Sequence, residues 1–248
     1  MTVKLPHFFR RFSRHGSVRP LQVDIHSHLI PGIDDGVKTT YEAIKLIRRF
    51  EKMGFKKLII TPHIMSHRYK NSSQTILEKL EFLKDAVADH EIDIALEAAS
   101  EYYLDDYFLT LLKKNDILTF HGNHLLFEMS YTRAPADLTD MIFEMEQAGY
   151  QPVLAHPERY LFMHDNFGEY EALKEYGVLF QVNINSLAGY YNKAVQKIAQ
   201  KLADKGMIDF LGSDTHKARQ VETLEHFLQT PQFLKVLQNN PVKNNDLL

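Results

Sequence analysis

Short apolar segments typical of buried strands alternate with longer amphipathic segments along most of this chain. The predicted strands cover residues 21–28, 57–61, 92–99, 124–127, 152–155, 178–183 and 209–212. The spacing of apolar residues predicts helices at residues 39–53, 73–90, 104–114, 136–148, 169–176, 188–205, 221–228 and 232–237. Because alternating strands and helices build parallel sheets, the pattern predicts a single α/β domain.

Nearly every predicted strand ends in a histidine or a carboxylate residue. These strand-end residues are His26, His28, His63, Glu101, Glu128, His156, Asp214 and His216. An open doubly wound sheet usually places its ligands at one crevice, whereas a closed barrel brings all its strand ends to one face. We therefore expect a distorted, TIM-like barrel of about seven strands, written (β/α)7.

The types of these strand-end residues indicate a metal site. Imidazole and carboxylate ligands without a thiolate suit zinc, manganese, iron or nickel. More than four such ligands indicate more than one ion, and ions about 3.5–4 Å apart commonly serve phosphoester hydrolysis. The chain has no cysteine, which excludes disulfides, thiolate zinc sites and a cysteine nucleophile. A structural role is the alternative for any one of these residues, but it does not explain eight at matching positions.

Phosphate substrates need positive charge beside the metals, and four arginines follow strand ends. They are Arg68, Arg133, Arg159 and Arg219. Arginine captures phosphate oxygens in a planar, bidentate geometry. Arg159 is the strongest candidate because it lies three residues after His156, in the same short loop. A solvated surface role is the alternative for each arginine.

Seven short motifs occur in the order and at the spacing of a known superfamily. They are Asp24-Ile25-His26-Ser27-His28, Asp34-Asp35-Gly36, Thr61-Pro62-His63, Ser100-Glu101-Tyr102-Tyr103, Leu126-Phe127-Glu128, Ala155-His156-Pro157-Glu158-Arg159 and Ser213-Asp214-Thr215-His216. Together they resemble the polymerase-and-histidinol-phosphatase (PHP) superfamily, and more closely the bacterial metal-dependent tyrosine phosphatases of capsule and exopolysaccharide loci. The resemblance covers roughly residues 21–219, and it implies a distorted (β/α)7 barrel of the PHP type with three metal ions.

The resemblance also implies a role for each site residue. One ion would take His26, His28, Glu101 and Asp214. A second ion would share Glu101 and also take Glu128 and His156. The third ion would take Asp35, His63 and His216. The residues implied in catalysis are Arg159 and Arg219, which would bind the phosphate, together with His156 and Asp214, and Asp24 would orient a histidine. Manganese is the expected metal, with iron, zinc, magnesium and nickel as alternatives.

By the same resemblance, the chain is a metal-dependent protein-tyrosine phosphatase. Its expected substrate is phosphotyrosine on a membrane tyrosine autokinase, and its expected role is the regulation of capsular or exopolysaccharide synthesis. The alternative from the same superfamily is a histidinol-phosphate phosphatase or another small-molecule phosphomonoesterase. The alternative from a different class is a non-catalytic, metal-binding barrel that acts as an interaction module.

The beginning of the chain differs in composition from the rest. Five basic residues and three phenylalanines precede residue 21, and no acidic residue occurs before Asp24. We therefore expect a basic extension at residues 1–20, a barrel domain at 21–240 and an asparagine-rich tail at 241–248 that frays. A basic, aromatic extension suits peripheral contact with an anionic membrane, and a loosely docked segment or an oligomer contact is the alternative.

Charge and hydropathy limit the remaining function classes. The formal net charge of −3 gives no argument for nucleic-acid binding. The chain has no apolar run of the length that spans a bilayer. We expect a cytoplasmic protein, associated with the membrane only at its surface, and the family resemblance favours a homo-oligomer.

Overall fold

The structure, a computed structural model, describes residues 19–248, so the predicted basic extension lies almost entirely outside the described residues. The strands are β1 Val23–Asp24, β2 Lys57–Ile60, β3 His63–Ile64, β4 Ala95–Ala98, β5 Glu101–Tyr103, β6 His124–Glu128, β7 Gln151–Ala155, β8 Leu179–Asn183 and β9 Phe210–Gly212. The α-helices are α1 Thr40–Met53, α2 Ser73–Asp89, α3 Asp106–Lys113, α4 Leu138–Gln147, α5 Gly168–Glu175, α6 Ile184–Leu187, α7 Lys193–Asp204, α8 Ala218–Phe227 and α9 Pro231–Asn239. None of the helices within this range combines the length and apolar composition that crossing a bilayer requires.

The strands occupy seven positions around a barrel, and all of their pairings are parallel. One sheet has the order β1-β2-β4, and the other has the order β3-β5-β6-β7-β8-β9. Residues 61–62 separate β2 from β3, and residues 99–100 separate β4 from β5, so each pair is one interrupted strand. The two sheets are therefore parts of one curved wall. The expected distorted (β/α)7 barrel is confirmed.

The first and last strand positions meet at a seam that closes the barrel. A parallel bridge joins Ser27 to Thr215. The backbone N–H of His28 donates to the carbonyl oxygen of Thr215 at 2.9 Å, and the N–H of Asp214 donates to that of His26 at 2.7 Å. These hydrogen bonds hold the two histidines of the first strand beside the aspartate that follows the last strand.

The tail is packed rather than frayed, because a buried asparagine bridges the lower part of the seam. The amide of Asn244 donates to the carbonyl oxygens of Val23 and Leu211 at 2.9 and 2.7 Å. Its oxygen accepts the N–H of Leu211 at 2.9 Å. The side chain thus supplies hydrogen bonds to two edge strands that do not pair with each other there.

Apolar residues on alternate strand positions separate the inside of the barrel from its helical shell. Ile59, Leu126 and Val153 belong to one small buried cluster. Their neighbours Leu58 and Phe127 belong to the large cluster that includes the helices. Because side chains alternate along a strand, Glu128 of β6 shares the inner face with Leu126, and the carboxyl end of the barrel carries its polar residues above an apolar base.

The prediction of a helix at residues 188–205 is wrong at its beginning, because a loop separates α6 from α7. Gly189 has a left-handed φ of 80°, a conformation that favours glycine. The side chain of Asn192 then accepts a hydrogen bond from the N–H of Val195 and caps α7. The loop between these two residues carries Tyr191 to the carboxyl end of the barrel.

Candidate metal centre

The nine residues predicted as metal ligands all lie at the carboxyl end of the barrel. Their donor atoms form four overlapping groups, and within each group the atoms lie within 4.8 Å of one another. The groups are His28, Asp35, His63 and His216; His26, His28 and Asp214; His26, Glu101 and His156; and His63, Glu101 and Glu128. The structure therefore brings the whole predicted set together, although it groups Glu128 more closely with His63 than with His156.

Glu101 lies at the centre of these groups. Its Oε2 atom is 3.2 Å from Nε2 of His26 and 3.1 Å from Nδ1 of His63. Its Oε1 atom is 2.9 Å from Nε2 of His156. The first residue of β5 thus places one buried carboxylate among histidines from three other strands, which is the position of a bridging ligand.

Asp35 lies at the solvent side of the centre. Its Oδ1 atom is 3.4 Å from Nε2 of His63 and 3.5 Å from Nε2 of His216. Its side chain is 47% exposed, whereas that of Glu101 is 1% exposed. The centre therefore extends from a dry interior to an open edge, where a substrate can enter.

The residues present fit bound divalent cations. Nδ1 of His63 lies 3.1 Å from Oε2 of Glu101 and 3.0 Å from Oε1 of Glu128, yet none of these three buried atoms makes a hydrogen bond of good geometry within residues 19–248. Buried polar atoms are otherwise almost always satisfied. Imidazole and carboxylate donors that converge at this spacing match the ligand preferences of first-row divalent metals.

The charges at the centre shift the pKa values of its members in opposite directions. Burial opposes the charge on His28, but the adjacent Asp34 carboxylate outweighs it and raises the pKa of His28 to about 9. Burial likewise opposes the charge on Asp34, yet His28 lowers the pKa of that carboxyl to about 2. Burial is outweighed at Glu101 too, where His26 and His63 hold the pKa well below its usual range. The carboxylates of Asp34 and Glu101 are therefore ionised, and cations compete with protons for the histidines.

Two side chains orient the histidines of the first strand. Nδ1–H of His28 donates to Oδ2 of Asp34 at 2.8 Å, and Nδ1–H of His26 donates to Oε1 of Gln181 at 2.6 Å. Each contact leaves Nε2 of the ring free to bind a metal. Asp34 belongs to a predicted motif but had no predicted role. Gln181 was not predicted as a site residue, although it and Asn183 alternate as polar residues along the otherwise apolar strand β8.

Asp24 does not orient a histidine, so that expectation is wrong. Its carboxylate accepts the N–H and the hydroxyl of Ser213 at 2.8 and 2.7 Å. Both groups are buried. Asp24 instead ties β1 to the chain just after β9, and burial raises its pKa to about 7.

Arg159 reaches the centre between two tyrosines. Its Nη1 atom is 2.9 Å from Oδ2 of Asp214. The guanidinium carbon lies 4.6 Å from the ring centroids of both Tyr131 and Tyr191, a distance at which cation–π attraction is effective. The hydroxyl of Tyr191 also donates to Oδ2 of Asp214 at 3.1 Å. Sequence reasoning missed both tyrosines, because neither lies at a strand end.

The other candidate arginines are placed differently. Arg219 is exposed in the first turn of α8, and the structure does not bring it into contact with the ligand groups. Arg133 is exposed in the loop after β6. The guanidinium of Arg68 lies 5.3 Å from the ring centroid of Tyr69, and that ring stacks on His63 at 5.6 Å. Arg68 therefore lies at the rim.

Two of the ligand residues have left-handed backbone conformations. His156 has φ of 37° and Asp214 has φ of 50°. Residues other than glycine adopt such angles at a cost, and strain of this kind concentrates at functional sites. In this chain, the turn at His156 directs the loop that carries Arg159 back over the end of the barrel.

The chain is similar in sequence to a known protein family and to several of its members. A family model described as capsular polysaccharide synthesis, CpsB/CapC, matches residues 22–226. The tyrosine-protein phosphatase YwqE of Bacillus subtilis is 28% identical over 206 residues, which cover 82% of this chain and 81% of the relative. The tyrosine-protein phosphatase CpsB of Streptococcus pneumoniae is 24% identical over 200 residues, or 78% and 82% of the two chains.

A solved structure has the same fold. It is one of the crystal structures of YwqE from Bacillus subtilis and CpsB from Streptococcus pneumoniae, which are described as metal-dependent tyrosine phosphatases. It superposes with a TM-score of 0.76 at 24% sequence identity, covering 89% of this chain and 96% of the other. An amidohydrolase from Mycoplasma synoviae shares the barrel more distantly, with a TM-score of 0.54 at 13% identity, over 92% of this chain and 88% of its own.

Proposed function

This chain belongs to the CpsB/CapC family of capsular polysaccharide synthesis proteins, and from this premise we propose that it is a metal-dependent protein-tyrosine phosphatase. The observation that carries the proposal is the nine-residue ligand cluster, with a stacked arginine at its edge. The names of its relatives, YwqE and CpsB, support the same activity. The absence of cysteine excludes a phosphocysteine intermediate.

Three ions, with manganese as the expected metal, would account for all nine ligands. His26, His28, Glu101 and Asp214 would hold the first. Glu101, Glu128 and His156 would hold the second, and Asp35, His63 and His216 the third. The first set is supported by distances of 3.2–3.7 Å from Nε2 of His26 to the donor atoms of its other members. When bound, such ions supply an activated water and positive charge for phosphoester hydrolysis.

The protein's own groups would bind and orient the phosphoryl group. Asp214 holds one N–H donor of Arg159, and the other donors of the guanidinium would bind the phosphate. The rings of Tyr131 and Tyr191 fix the plane of the guanidinium, so that two parallel donors meet two phosphoryl oxygens. Arg219 would add a second cation from α8. The leaving tyrosine oxygen needs little protonation, because a phenol has a pKa near 10.

The proposed partner is a membrane tyrosine autokinase that faces the cytoplasm, and the proposed role is control of capsular or exopolysaccharide synthesis. The description of the matching family supports this pathway. Residues 1–20 would contact the anionic membrane surface through their basic and aromatic side chains. A homo-oligomer would present several such segments to one membrane, which strengthens weak surface binding.

Phosphate release from a phosphotyrosine peptide tests the proposed function. We expect release in the presence of Mn²⁺, its loss on addition of a chelator, and its recovery when Mn²⁺ is restored. Histidinol phosphate, assayed in parallel, should be a much poorer substrate. Preferential hydrolysis of histidinol phosphate would contradict the proposal, and metal binding without turnover of either substrate would favour a non-catalytic barrel.

A further inference from the structure

A cavity opens beside the metal centre at the seam of the barrel, and we call it the seam pocket. It has a volume of about 620 Å³ and is lined by residues of α1, the start of α8 and the loop at residues 35–38. Asp35 and His216, which belong to the metal centre, form its inner end. Val37 and Leu46 add apolar surface. A polypeptide bound over the metal centre can therefore continue directly into this pocket.

Three lysines line the seam pocket without a carboxylate partner among residues 19–248. Lys45 and Lys217 are exposed, and the Lys45 ammonium lies 4.2 Å from the ring centroid of Tyr41. The Lys38 ammonium donates to the carbonyl oxygen of Asp34 at 2.7 Å. A carbonyl oxygen does not neutralise a cation, so all three charges remain available to a ligand.

The other charged side chains that line the pocket outside the metal centre are already engaged. Arg49 forms a two-pronged pair with Glu225, with distances of 2.8 and 2.6 Å. Oε2 of Glu42 accepts the N–H groups of Lys38 and Thr39 at 2.8 and 3.3 Å, where it caps α1. Glu42 keeps its negative charge, because backbone N–H groups do not neutralise a carboxylate, and Asp35 adds a second negative charge at the inner end. The three lysines outnumber these two carboxylates, so the seam pocket is locally positive on a chain whose formal net charge is −3.

We propose that the seam pocket binds acidic residues that flank the phosphotyrosine of the protein substrate. The inference rests on the proposed function and adds a substrate preference to it. Carboxylates of the substrate would pair with Lys38, Lys45 and Lys217, while the phosphotyrosine lies over the metal centre at the pocket's inner end. Pairing between exposed charges is screened by salt, so the preference is greatest at low ionic strength.

Phosphotyrosine peptides of equal length, flanked by glutamate, serine or lysine, test this inference. We expect kcat/KM for the glutamate peptide to exceed that for the serine peptide about fivefold at low salt, and the two values to converge at high salt. In the double variant Lys45→Glu with Lys217→Glu, repulsion should reverse the order and make the lysine peptide the best substrate. The milder pair Lys45→Gln with Lys217→Gln should reduce the preference without reversing it.

A matched control separates the pocket from the net charge of the molecule. Lys113→Glu with Lys114→Glu makes the same change in charge at the carboxyl end of α3, which does not line the pocket. This control should keep the wild-type ratio of the glutamate to the serine peptide. Circular dichroism and thermal unfolding of each variant establish that the changes act on a folded protein.

The outcomes distinguish this inference from the function on which it rests. Metal-dependent hydrolysis of all three peptides with equal kcat/KM would overturn the seam-pocket inference alone. The same holds if the Lys45→Glu, Lys217→Glu variant keeps the wild-type order of substrates, or if the Lys113→Glu, Lys114→Glu control reverses it. Failure to hydrolyse any phosphotyrosine peptide would overturn the proposed function and this inference together.

Discussion

Glu101 is a buried carboxylate that contacts several histidines of the metal centre at once. Its two oxygens lie within 3.2 Å of histidines from three different strands. Loss of one charge at this point weakens every ligand group that shares it. The residue therefore offers the most direct test of whether the centre works as one unit.

We expect Glu101→Gln to lower kcat/KM at least about a hundredfold, since even groups that only orient metal ligands often contribute tenfold to a hundredfold. Metal content after dialysis should fall as well. Steady-state kinetics and elemental analysis measure the two effects. Glu97→Gln, at an exposed position of β4, is the matched control. Full activity and metal content in Glu101→Gln would contradict the assignment of Glu101 as a shared ligand.

Tyr191 contributes both a ring face and a hydroxyl, and the two can be separated. Tyr191→Phe keeps the ring against Arg159 but removes the hydrogen bond to Asp214. A hydrogen bond to a charged group contributes about 1.5–3 kcal/mol, so kcat should fall about tenfold or more. Tyr191→Leu removes the ring as well and should also raise KM. Equal kinetics for the two variants would show that stacking on Arg159 has no role in substrate binding.

The sequence identifies the candidate metal ligands better than it identifies the residues that orient them. His156 and Asp214 stand out because they are polar residues at the ends of apolar strands. Gln181 and Tyr191 do not, because their partners lie on strands that are distant in sequence and become neighbours only when the barrel closes. The roles of Arg159 and Arg219 in phosphate binding stay predictions.

At the scale of single elements, the sequence predicts the end of a helix where residues close to that end determine it. Helix α1 follows a capping box formed by Thr39 and Glu42, and Gly54 ends it with φ of 94°. Both signals lie within a few residues of the boundary that they set. The tail at residues 241–248 was misjudged for the opposite reason, since Asn244 is ordered by partners more than thirty positions away.

We expect Asn244→Ala to lower the free energy of unfolding by about 2–4 kcal/mol, because three buried backbone groups lose their partner. Urea denaturation followed by circular dichroism measures the change. Asn239→Ala replaces an exposed asparagine of α9 and should change stability by less than about 0.5 kcal/mol. Similar values for the two variants would mean that Asn244 does not stabilise the seam.

At the scale of the whole molecule, the number of strand positions followed from the sequence, whereas the closure did not. Hydrophobic runs mark the seven positions because most strands are buried on both faces, with β4 as an exception that exposes Ala95 and Glu97. The seam depends instead on Ser27, Thr215 and Asn244, which carry no local signal for pairing. Two strands are also interrupted, at residues 61–62 and 99–100, and in the first interruption Pro62 has no N–H to donate.

His124 should make a contribution to stability that is lost in mild acid. This histidine begins β6, where its ring packs edge-on against Phe210. Burial, together with the charges of His121 and Lys243, lowers its pKa. A histidine with a lowered folded-state pKa stabilises the protein above its ordinary pKa of about 6.5 and loses that contribution as the pH falls below it.

We therefore expect His124→Gln to lose less stability than the wild type when the pH falls from 7 to 5. The measurement is urea denaturation of the metal-free protein at several pH values. His90→Gln, at an exposed position after α2, should follow the wild-type profile. If His124→Gln follows it too, protonation of His124 does not account for acid sensitivity.

The seam also has a consequence for the order in which the molecule can be assembled. Ser213 and Asp24 are hydrogen-bonded across a sequence separation of 189 residues. Contacts between distant parts of a chain form late, because a long loop must close before they contribute. Since the ligands of the first proposed ion stand on both sides of that closure, a growing chain that has not yet reached Asp214 has no complete centre. The enzyme would thus stay inactive until synthesis is nearly finished.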